Sequence, residues 1–331
     1  MSVEDFTGGG KILLAPLSGI SDSPFRRISR GFGADGVYTE MISSEGLTRK
    51  NMRSAELAGF TQSERPIGIQ IFGKRPERMA DAARMIEELK PDIIDINACC
   101  PARRVVSKGG GAALHKTPGL LGEIVTAVVE ATRLPVSVKI RSGWDEDSIN
   151  AVDIARLIED SGAVAVTVHG RTAHQGFKGR SEWRRVADVK RAVRIPVILT
   201  GDIMQPEDVK RGIEETGCDA VMVARGSFGR PWIFRQAREY MEKGTYTEFP
   251  QEEMTEVALA HLDLMIEMFG EKMGVLRFRK HLLWYTKGLY GVVALRQQMA
   301  HLHTKAGVAA LLDQAVSDTV KRRLVRGEER P

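Results

Sequence analysis

The chain alternates short, almost continuously apolar runs with longer segments that have helical periodicity. Continuous apolar runs are typical of strands in a parallel sheet that is covered on both faces. Eight such runs are predicted as strands: Ile12–Leu17, Gly36–Glu40, Pro66–Phe72, Ile93–Cys99, Pro135–Ile140, Ala163–His169, Pro196–Gly201 and Ala220–Gly226. The amphipathic segments between them are predicted as helices, among them Pro76–Leu89, Gly119–Thr132, Ser148–Asp160 and Gln205–Thr216.

Eight strand–helix units within about 240 residues predict an α/β protein with a (β/α)8 TIM barrel. The alternative is an open doubly wound sheet, but the glycine fingerprint expected after its first strand is missing. The polar stretch 242–251 interrupts the pattern before helical periodicity resumes. The predicted organisation is a catalytic barrel over 1–243, a linker over 244–250 and a small C-terminal all-α helical bundle over 251–331. The bundle helices are predicted at Glu252–Phe269, Arg277–Lys287, Val292–His303 and Ala306–Val325.

The composition is that of an ordinary globular protein. Of 331 residues, 43% are hydrophobic and 27% are charged. No run of about 18 apolar residues occurs, so no membrane-spanning segment is expected. The first residues lack the basic and apolar pattern of a secretory signal, and three cysteines are too few for a disulfide framework. These features favour a cytoplasmic protein.

The positive charge is concentrated near the C-terminus. Residues 277–331 contain eleven Lys and Arg against four Asp and Glu, whereas the preceding residues are slightly acidic. A basic surface attracts polyanions such as nucleic acids, but a charge run is also typical of a solvated helix. Composition alone leaves both interpretations open.

Polar residues and glycines stand at the carboxyl ends of the predicted strands, where barrel enzymes carry their chemistry. The seventh and eighth strands, which form the usual phosphate site of such barrels, end at Thr200–Asp202 and Ala224–Arg225. Glycine lets backbone N–H groups approach a phosphate, and arginine can add a bidentate contact. The residues therefore predict a phosphate site, with a pair of tight turns as the alternative.

Lys139 and Gln70 are predicted to reach a similar height inside the barrel opening. A buried ammonium needs an anionic partner, and the Gln70 amide offers both donors and an acceptor. Together they suit a flat heterocycle with carbonyls and ring nitrogens, such as a flavin. The alternative is that Lys139 pairs with Glu40.

Cys100 directly follows the fourth predicted strand. A free cysteine is mostly a thiol at neutral pH, so Cys100 is a candidate general acid. Cys99 and Cys218 fit a buried structural role better. No metal site is expected, because adjacent cysteines chelate one ion poorly and no metal-binding motif occurs. Arg103 and Arg104 follow the thiol and are placed to contact a phosphate backbone.

Several motifs together resemble the tRNA-dihydrouridine synthase family over nearly the whole chain. They are Ala15–Asp22, Gln70–Gly73, Asp95–Ala102, Val138–Arg141, Val168–Thr172, Gly201–Ile203 and Gly229–Phe234. In the tail, Arg279–Tyr285 is similar to the bacterial B-type branch. The chain has Cys99 where the family usually has glycine, and Leu17 where methionine is usual.

The resemblance implies that flavin mononucleotide (FMN) binds in the barrel opening and that Cys100 is the proton donor. The implied cofactor contacts are Pro16, Leu17, Ser18, Gln70, Lys139, His169, Thr200, Gly201, Asp202, Ala224 and Arg225. The implied contacts to substrate or RNA are Asn97, Arg103, Arg104, Arg141, Arg171, Arg279 and Lys280.

The implied reaction reduces the C5=C6 bond of a uridine in the tRNA D-loop to 5,6-dihydrouridine. NADPH or NADH would be the reductant, with hydride passing from FMN N5 to C6 and a proton from Cys100 to C5. The base must be flipped out of the folded RNA to reach the site. We expect a monomer whose partner is tRNA. The alternatives are an FMN barrel acting on a small pyrimidine-like molecule, a homologue acting on ribosomal RNA, and a non-catalytic RNA-binding protein.

Overall fold

The computed structural model describes residues 6–326, and eight parallel strands close into a barrel as the sequence predicts. A ninth strand, β3, pairs with the end of β4, and β9 pairs with β1 to complete the circle. The strands are β1 (Lys11–Leu14), β2 (Gly36–Tyr38), β3 (Ile42–Ser43), β4 (Ile67–Phe72), β5 (Ile93–Ala98), β6 (Val136–Arg141), β7 (Ala165–His169), β8 (Val197–Thr200) and β9 (Ala220–Val223).

Helices alternate with these strands along the first part of the chain. The Asp22 side chain accepts a hydrogen bond from the backbone N–H of Phe25, which caps the first helix. The helices are α1 (Ser23–Gly31), α2 (Ser44–Thr48), α3 (Met52–Ala58), α4 (Pro76–Glu87), α5 (Arg103–Val106), α6 (Pro118–Ala131), α7 (Ala151–Asp160), α8 (Trp183–Ala192) and α9 (Pro206–Thr216).

The barrel interior has an apolar part and a polar part. The apolar cluster includes Phe6, Leu13 and Tyr38, and the Phe6 and Tyr38 rings meet edge to face with centroids 5.2 Å apart. Towards the carboxyl ends of β4, β5 and β6, Gln70 and Asp95 are paired in register and are fully buried. Because side chains alternate faces along a strand, the following inward positions carry the polar groups of the barrel opening.

A second compact unit begins after Gly226. It contains α10 (Ile233–Lys243), α11 (Gln251–Phe269), α12 (Glu271–Tyr285), α13 (Val292–Met299) and α14 (Lys305–Arg326). Its core includes His261 and Phe278, whose rings meet edge to face at 5.2 Å, and burial lowers the pKa of His261 to about 3. A buried neutral histidine therefore packs as a core residue in this unit.

The predicted linker packs against helix α10. Trp232 stacks on Phe249 with ring centroids 4.0 Å apart, and Gln236 Nε2 donates to the carbonyl of Thr247 over 3.0 Å. Both α10 and the segment after it belong to the second unit, while the predicted domain limits at 243 and 251 stay a prediction. Among the described helices, none is long and apolar enough to cross a membrane.

Candidate active site

A chain of hydrogen bonds crosses the polar part of the barrel and ends at the carboxylate of Asp95. Asn97 Nδ2 donates to Gln70 Oε1 over 2.7 Å, and Gln70 Nε2 donates to Asp95 Oδ2 over 2.6 Å. Ser137 Oγ donates to the other carboxylate oxygen over 2.6 Å. Burial raises the pKa of Asp95 to about 6, although the bonds from Gln70 and Ser137 act in the opposite direction. The Gln70 amide on β4 is therefore oriented by two side chains of the adjacent strand β5.

Lys139 lies inside the barrel with 7% of its surface exposed. Its Nζ atom is 3.4 Å from the Sγ atom of Cys99, and its backbone is paired in register with Asn97. Glu40, the alternative partner from sequence, accepts a hydrogen bond from the backbone N–H of Gly19 instead. The ammonium of Lys139 therefore meets a thiol, and it remains available to an anionic or carbonyl-bearing ligand.

The loop that carries Cys100 is fixed from two sides. Asn97 Oδ1 accepts from the backbone N–H groups of Cys99 at 3.1 Å and Cys100 at 2.9 Å. On the other side, the N–H of Ala112 donates to the Cys100 carbonyl over 3.0 Å. Burial is the main cause that raises the pKa of the Cys100 thiol. Cys100 is therefore protonated at neutral pH, which is the form that a proton donor needs.

Arg141 joins the loop after β5 to the loop after β7. The residue is only 1% exposed, and its Nε atom donates to the carbonyl of Cys99 over 2.9 Å. Its Nη1 atom donates to the carbonyls of Thr172 at 2.6 Å and Gly176 at 2.9 Å. Three backbone carbonyls thus hold this side chain, which was predicted as a substrate contact.

His115 and Asn150 form a hydrogen-bonded pair that contacts the backbone of Arg141. The backbone N–H of Arg141 donates to His115 Nε2 over 3.1 Å, and His115 Nδ1 lies 2.9 Å from Asn150 Oδ1. Asn150 Nδ2 in turn donates to the His115 carbonyl over 2.9 Å. Burial lowers the pKa of His115, so the ring is neutral. Since a backbone N–H can only donate, Nδ1 carries the ring proton and donates it to Asn150.

His169 is a neutral histidine among cations. The backbone N–H of Arg171 donates to His169 Nδ1 over 3.2 Å, so the ring proton lies on Nε2. The pKa of His169 lies well below its ordinary value, first because the ring is buried and then because cationic side chains surround it: Lys139, Arg141, Arg171 and Arg225. The barrel opening therefore combines a neutral N–H donor with a strongly positive potential.

The ends of β8 and β9 form a cationic pocket around Asp202. Its carboxylate accepts from Arg171 Nη2 at 2.7 Å, from Arg225 Nη2 at 3.1 Å and from the backbone N–H of Ser181 at 2.8 Å. Gly201 has φ +110, and a Cβ atom there would lie 2.5 Å from Ser181 Oγ. Only glycine fits this close approach without displacing its neighbours.

Two buried donors beside this pocket have no hydrogen-bond partner within the described part of the chain. They are Arg171 Nη1 and Ser181 Oγ. A phosphate can accept hydrogen bonds from such unpartnered buried donors, and a glycine beside them lets the ligand approach the backbone closely. Gly201 at the end of β8, together with the loop after β7 that carries Arg171 and Ser181, therefore fits a phosphate-bearing ligand.

The remaining predicted cofactor contacts lie at strand ends around the same opening. Pro16 and Leu17 are half-buried, Ser18 is exposed, and the Thr200 hydroxyl donates to a backbone carbonyl of β9 over 2.9 Å. Leu17 and Ala224 pack against the apolar cluster of the barrel. Their assignment as cofactor contacts stays a prediction.

The predicted RNA contacts fall into two groups. Arg103 and Arg104 are exposed on the short helix α5, which begins three residues after Cys100. In the second unit, Arg279 and Lys280 are half-buried on α12, and Arg279 Nη2 donates to the carbonyl of Leu302 over 2.5 Å. Arg279 therefore also has a role within its own unit.

Sequence reasoning missed Asp95, Ser137 and His115. A usable signal existed, because β5, β6 and β7 each carry a pair of polar residues at spacing i, i+2 inside an apolar run, which in β6 continues to Arg141. That spacing marks one face of a strand, and the pairs are Asp95/Asn97, Ser137/Lys139 and Thr167/His169. No comparable local pattern indicates a role for His115, because its partners Arg141 and Asn150 lie 26 and 35 positions away in the sequence.

The fold and the site define a (β/α)8 barrel with a cationic, thiol-bearing site at the carboxyl ends of its strands. The family model described as "Dihydrouridine synthase (Dus)" matches residues 13–321. The chain belongs to the dihydrouridine synthase family, and the resemblance seen in the sequence is confirmed.

Two relatives and one solved structure illustrate the comparison. The chain is 40% identical over 299 residues to tRNA-dihydrouridine synthase B of Pseudomonas aeruginosa, covering 90% of each chain. It is 38% identical over 321 residues to the probable tRNA-dihydrouridine synthase 1 of Synechocystis sp., covering 96% of this chain and 89% of the relative. Histamine dehydrogenase from Rhizobium sp. 4-9 matches with TM-score 0.50 and 12% identity over 77% of this chain and 49% of that chain, which supports the barrel fold alone.

Proposed function

We propose that the chain is a tRNA-dihydrouridine synthase, which reduces the C5=C6 bond of a uridine in folded tRNA with NADPH or NADH as the electron source. The names of relatives at about 40% identity support this substrate class. The observation that carries the proposal is the protonated Cys100 at the barrel opening, whose backbone N–H is held by Asn97 and whose neighbour Cys99 contacts the buried Lys139.

The opening fits a flavin mononucleotide. Gln70, Lys139 and His169 offer donors for the ring, while Gly201 and the unpartnered Nη1 of Arg171 fit its phosphate. When bound, the flavin supplies the hydride for C6 of the pyrimidine.

The chain's own residues handle the proton and the orientation of the base. Cys100 donates its proton to C5 of the uracil as negative charge develops there. Asn97 holds the thiol loop through the backbone N–H of Cys100. The His169 ring is neutral, so its Nε2–H can donate a hydrogen bond without adding a further positive charge beside the cationic side chains around it. Lys139 supplies positive charge in a buried setting, where its effect on a carbonyl oxygen is stronger than in water.

RNA binding would depend on phosphates rather than on base sequence. Arg103 and Arg104 lie beside the thiol loop, and Arg279 and Lys280 belong to the basic C-terminal segment. Positive surface attracts the backbone, and a flipped base then enters the opening. We place the enzyme in the cytoplasm, as a monomer acting on tRNA.

The test is product formation on unmodified RNA. Wild type and Cys100→Ala are given NADPH and tRNA from cells lacking dihydrouridine synthases, and dihydrouridine is measured by nucleoside mass spectrometry. Wild type should form dihydrouridine, and Cys100→Ala should keep its flavin absorbance while losing product by roughly 10²-fold or more, the usual contribution of a general acid. Cys218→Ala, at a buried cysteine before β9, is the matched control.

Three results would exclude the proposal in favour of its alternatives. Turnover of free uridine with no turnover of tRNA would favour a small-molecule oxidoreductase. Product in ribosomal RNA alone would favour that substrate. A colourless protein that binds tRNA without reducing it would favour a non-catalytic RNA-binding protein.

A further inference from the structure

We propose that His115 is a positioning residue, which acts through Arg141 and its own short helix to hold the Cys100 thiol in place. The inference rests on the proposed role of Cys100 as proton donor. Nothing in the sequence points to His115, which is buried and lies outside the barrel opening motifs.

The short 3-10 helix Gly111–Lys116 contacts the thiol loop at its first turn. The N–H of Ala112 donates to the Cys100 carbonyl over 3.0 Å. Gly111 has φ +58, and a Cβ atom there would lie 2.6 Å from that same carbonyl oxygen. The backbone of this helix therefore sets how closely the Cys100 carbonyl can approach.

The last turn of the same helix holds Arg141. His115 Nε2 accepts from the Arg141 N–H over 3.1 Å, while the Arg141 guanidinium donates to the Cys99 carbonyl over 2.9 Å. The carbonyls of Cys99 and Cys100 are thus held by two routes that both begin in Gly111–Lys116. If His115 moves, both routes loosen together.

Asn150 fixes the ring tautomer that this arrangement needs. Its Oδ1 atom lies 2.9 Å from His115 Nδ1, and its Nδ2 atom donates to the His115 carbonyl over 2.9 Å. A glutamine at 115 could reproduce both ring functions, because its Oε1 atom accepts and its Nε2 atom donates. An alanine could reproduce neither.

The experiment compares His115→Ala and His115→Gln with the control variant His174→Ala, which changes an exposed histidine in the loop after β7. Alkylation of Cys100 by iodoacetamide is followed by mass spectrometry, with buried Cys218 as an internal reporter of global unfolding. Flavin content and the separate values of kcat and KM are measured on the same preparations.

His115→Ala should raise the Cys100 alkylation rate about fivefold, the value of one lost hydrogen bond, with Cys218 still protected. It should lower kcat roughly tenfold or more with flavin content and KM little changed, since the proton donor is misplaced while binding is intact. His115→Gln should restore both the alkylation rate and kcat, and His174→Ala should match wild type in both.

Two results would overturn the inference. One is an unchanged Cys100 alkylation rate in His115→Ala. The other is a His115→Gln variant that fails to restore alkylation and kcat although Cys218 stays protected. Gly111→Ala provides an independent variant, because its added methyl group should change Cys100 alkylation without touching His115. Full activity of Cys100→Ala would contradict the proposed role of Cys100 as proton donor. It would not change the alkylation result, which tests the positioning of the loop separately.

Discussion

The Nζ atom of Lys139 lies 3.4 Å from the Sγ atom of Cys99 inside the barrel. A thiol is a weak acceptor and compensates little of the cost of burying an ammonium. The Asp95 carboxyl attracts this ammonium electrostatically, and an anionic or carbonyl-bearing ligand would add the close contact that Cys99 provides only weakly.

Replacing Lys139 should separate flavin binding from stability. In Lys139→Met, flavin affinity should fall about ten- to hundredfold, the usual range for one charge-assisted hydrogen bond. The Tm of the flavin-free protein should rise, because a costly buried charge has gone. Flavin titration and thermal unfolding measure the two effects, and Lys178→Met, on an exposed loop, is the control. Unchanged flavin affinity would remove Lys139 from the binding site.

Asp95 should make stability depend on pH in a defined window. Its pKa is raised by burial from an ordinary 3.8 to about 6, so the native state keeps a proton that the unfolded state releases. Stability from this group is fully present below pH 3.8 and is lost as pH rises to about 6, by up to about 3 kcal/mol.

Asp95→Asn should remove that dependence, because an amide does not titrate. The difference in unfolding free energy between this variant and flavin-free wild type should grow in favour of Asp95→Asn across the window and stay constant above it. Urea unfolding at a series of pH values measures the difference. Parallel pH profiles for the two proteins would contradict the raised pKa.

Gly201 should tolerate no side chain. In Gly201→Ala, the new Cβ atom would lie 2.5 Å from Ser181 Oγ and 3.0 Å from His169 Cε1, on a backbone with φ +110. The expected loss is about 1–3 kcal/mol of unfolding free energy, together with weaker flavin binding. Gly119→Ala is the matched control, since its Cβ atom meets open space. Equal behaviour of the two variants would show that the close approach has no consequence.

Arg103 and Arg104 should contribute to RNA affinity through charge. The double variant Arg103→Glu, Arg104→Glu should bind tRNA more weakly and reduce the slope of log affinity against log salt by roughly one to two. Flavin content should not change. Arg194→Glu, a charge reversal on an exposed arginine before β8, provides a control at the amino-terminal end of the barrel. Identical salt slopes for all three proteins would place the RNA elsewhere.

The strands were predictable because burial on both faces leaves a continuous apolar run. The run predicted at Ile93–Cys99 became strand β5 at Ile93–Ala98, and its polar end carries Cys100. The helix predicted to begin at Arg277 begins at Glu271 instead. Met273 and Leu276 are apolar but exposed, so residues 271–276 do not show the regular apolar spacing of an amphipathic helix. The start of this helix could therefore not be predicted from the sequence.

The partners of the site residues were not predictable in the same way. Arg141 and Arg171 are the type of residue that binds substrate phosphates, yet each is held by carbonyl oxygens of the protein's own loops. The Arg141 bonds join positions 31 to 42 apart in sequence, which only the closed barrel brings together, and the Arg171 bonds depend on how its own loop folds back. Composition and spacing identify the chemistry at a strand end, whereas tertiary structure determines what holds it there.

The hydrogen bonds from Cys100 through Asn97 and Gln70 to Asp95 all run in one direction, each amide donating towards the carboxylate. An amide in such a series cannot rotate alone, because reversal would set donor against donor on one side and acceptor against acceptor on the other. The orientation of the thiol loop thus depends on the Asp95 carboxyl group at the other end of the series. An amide in place of that carboxyl would keep the series by turning its oxygen towards Gln70 and its nitrogen towards the Ser137 hydroxyl, which can also accept.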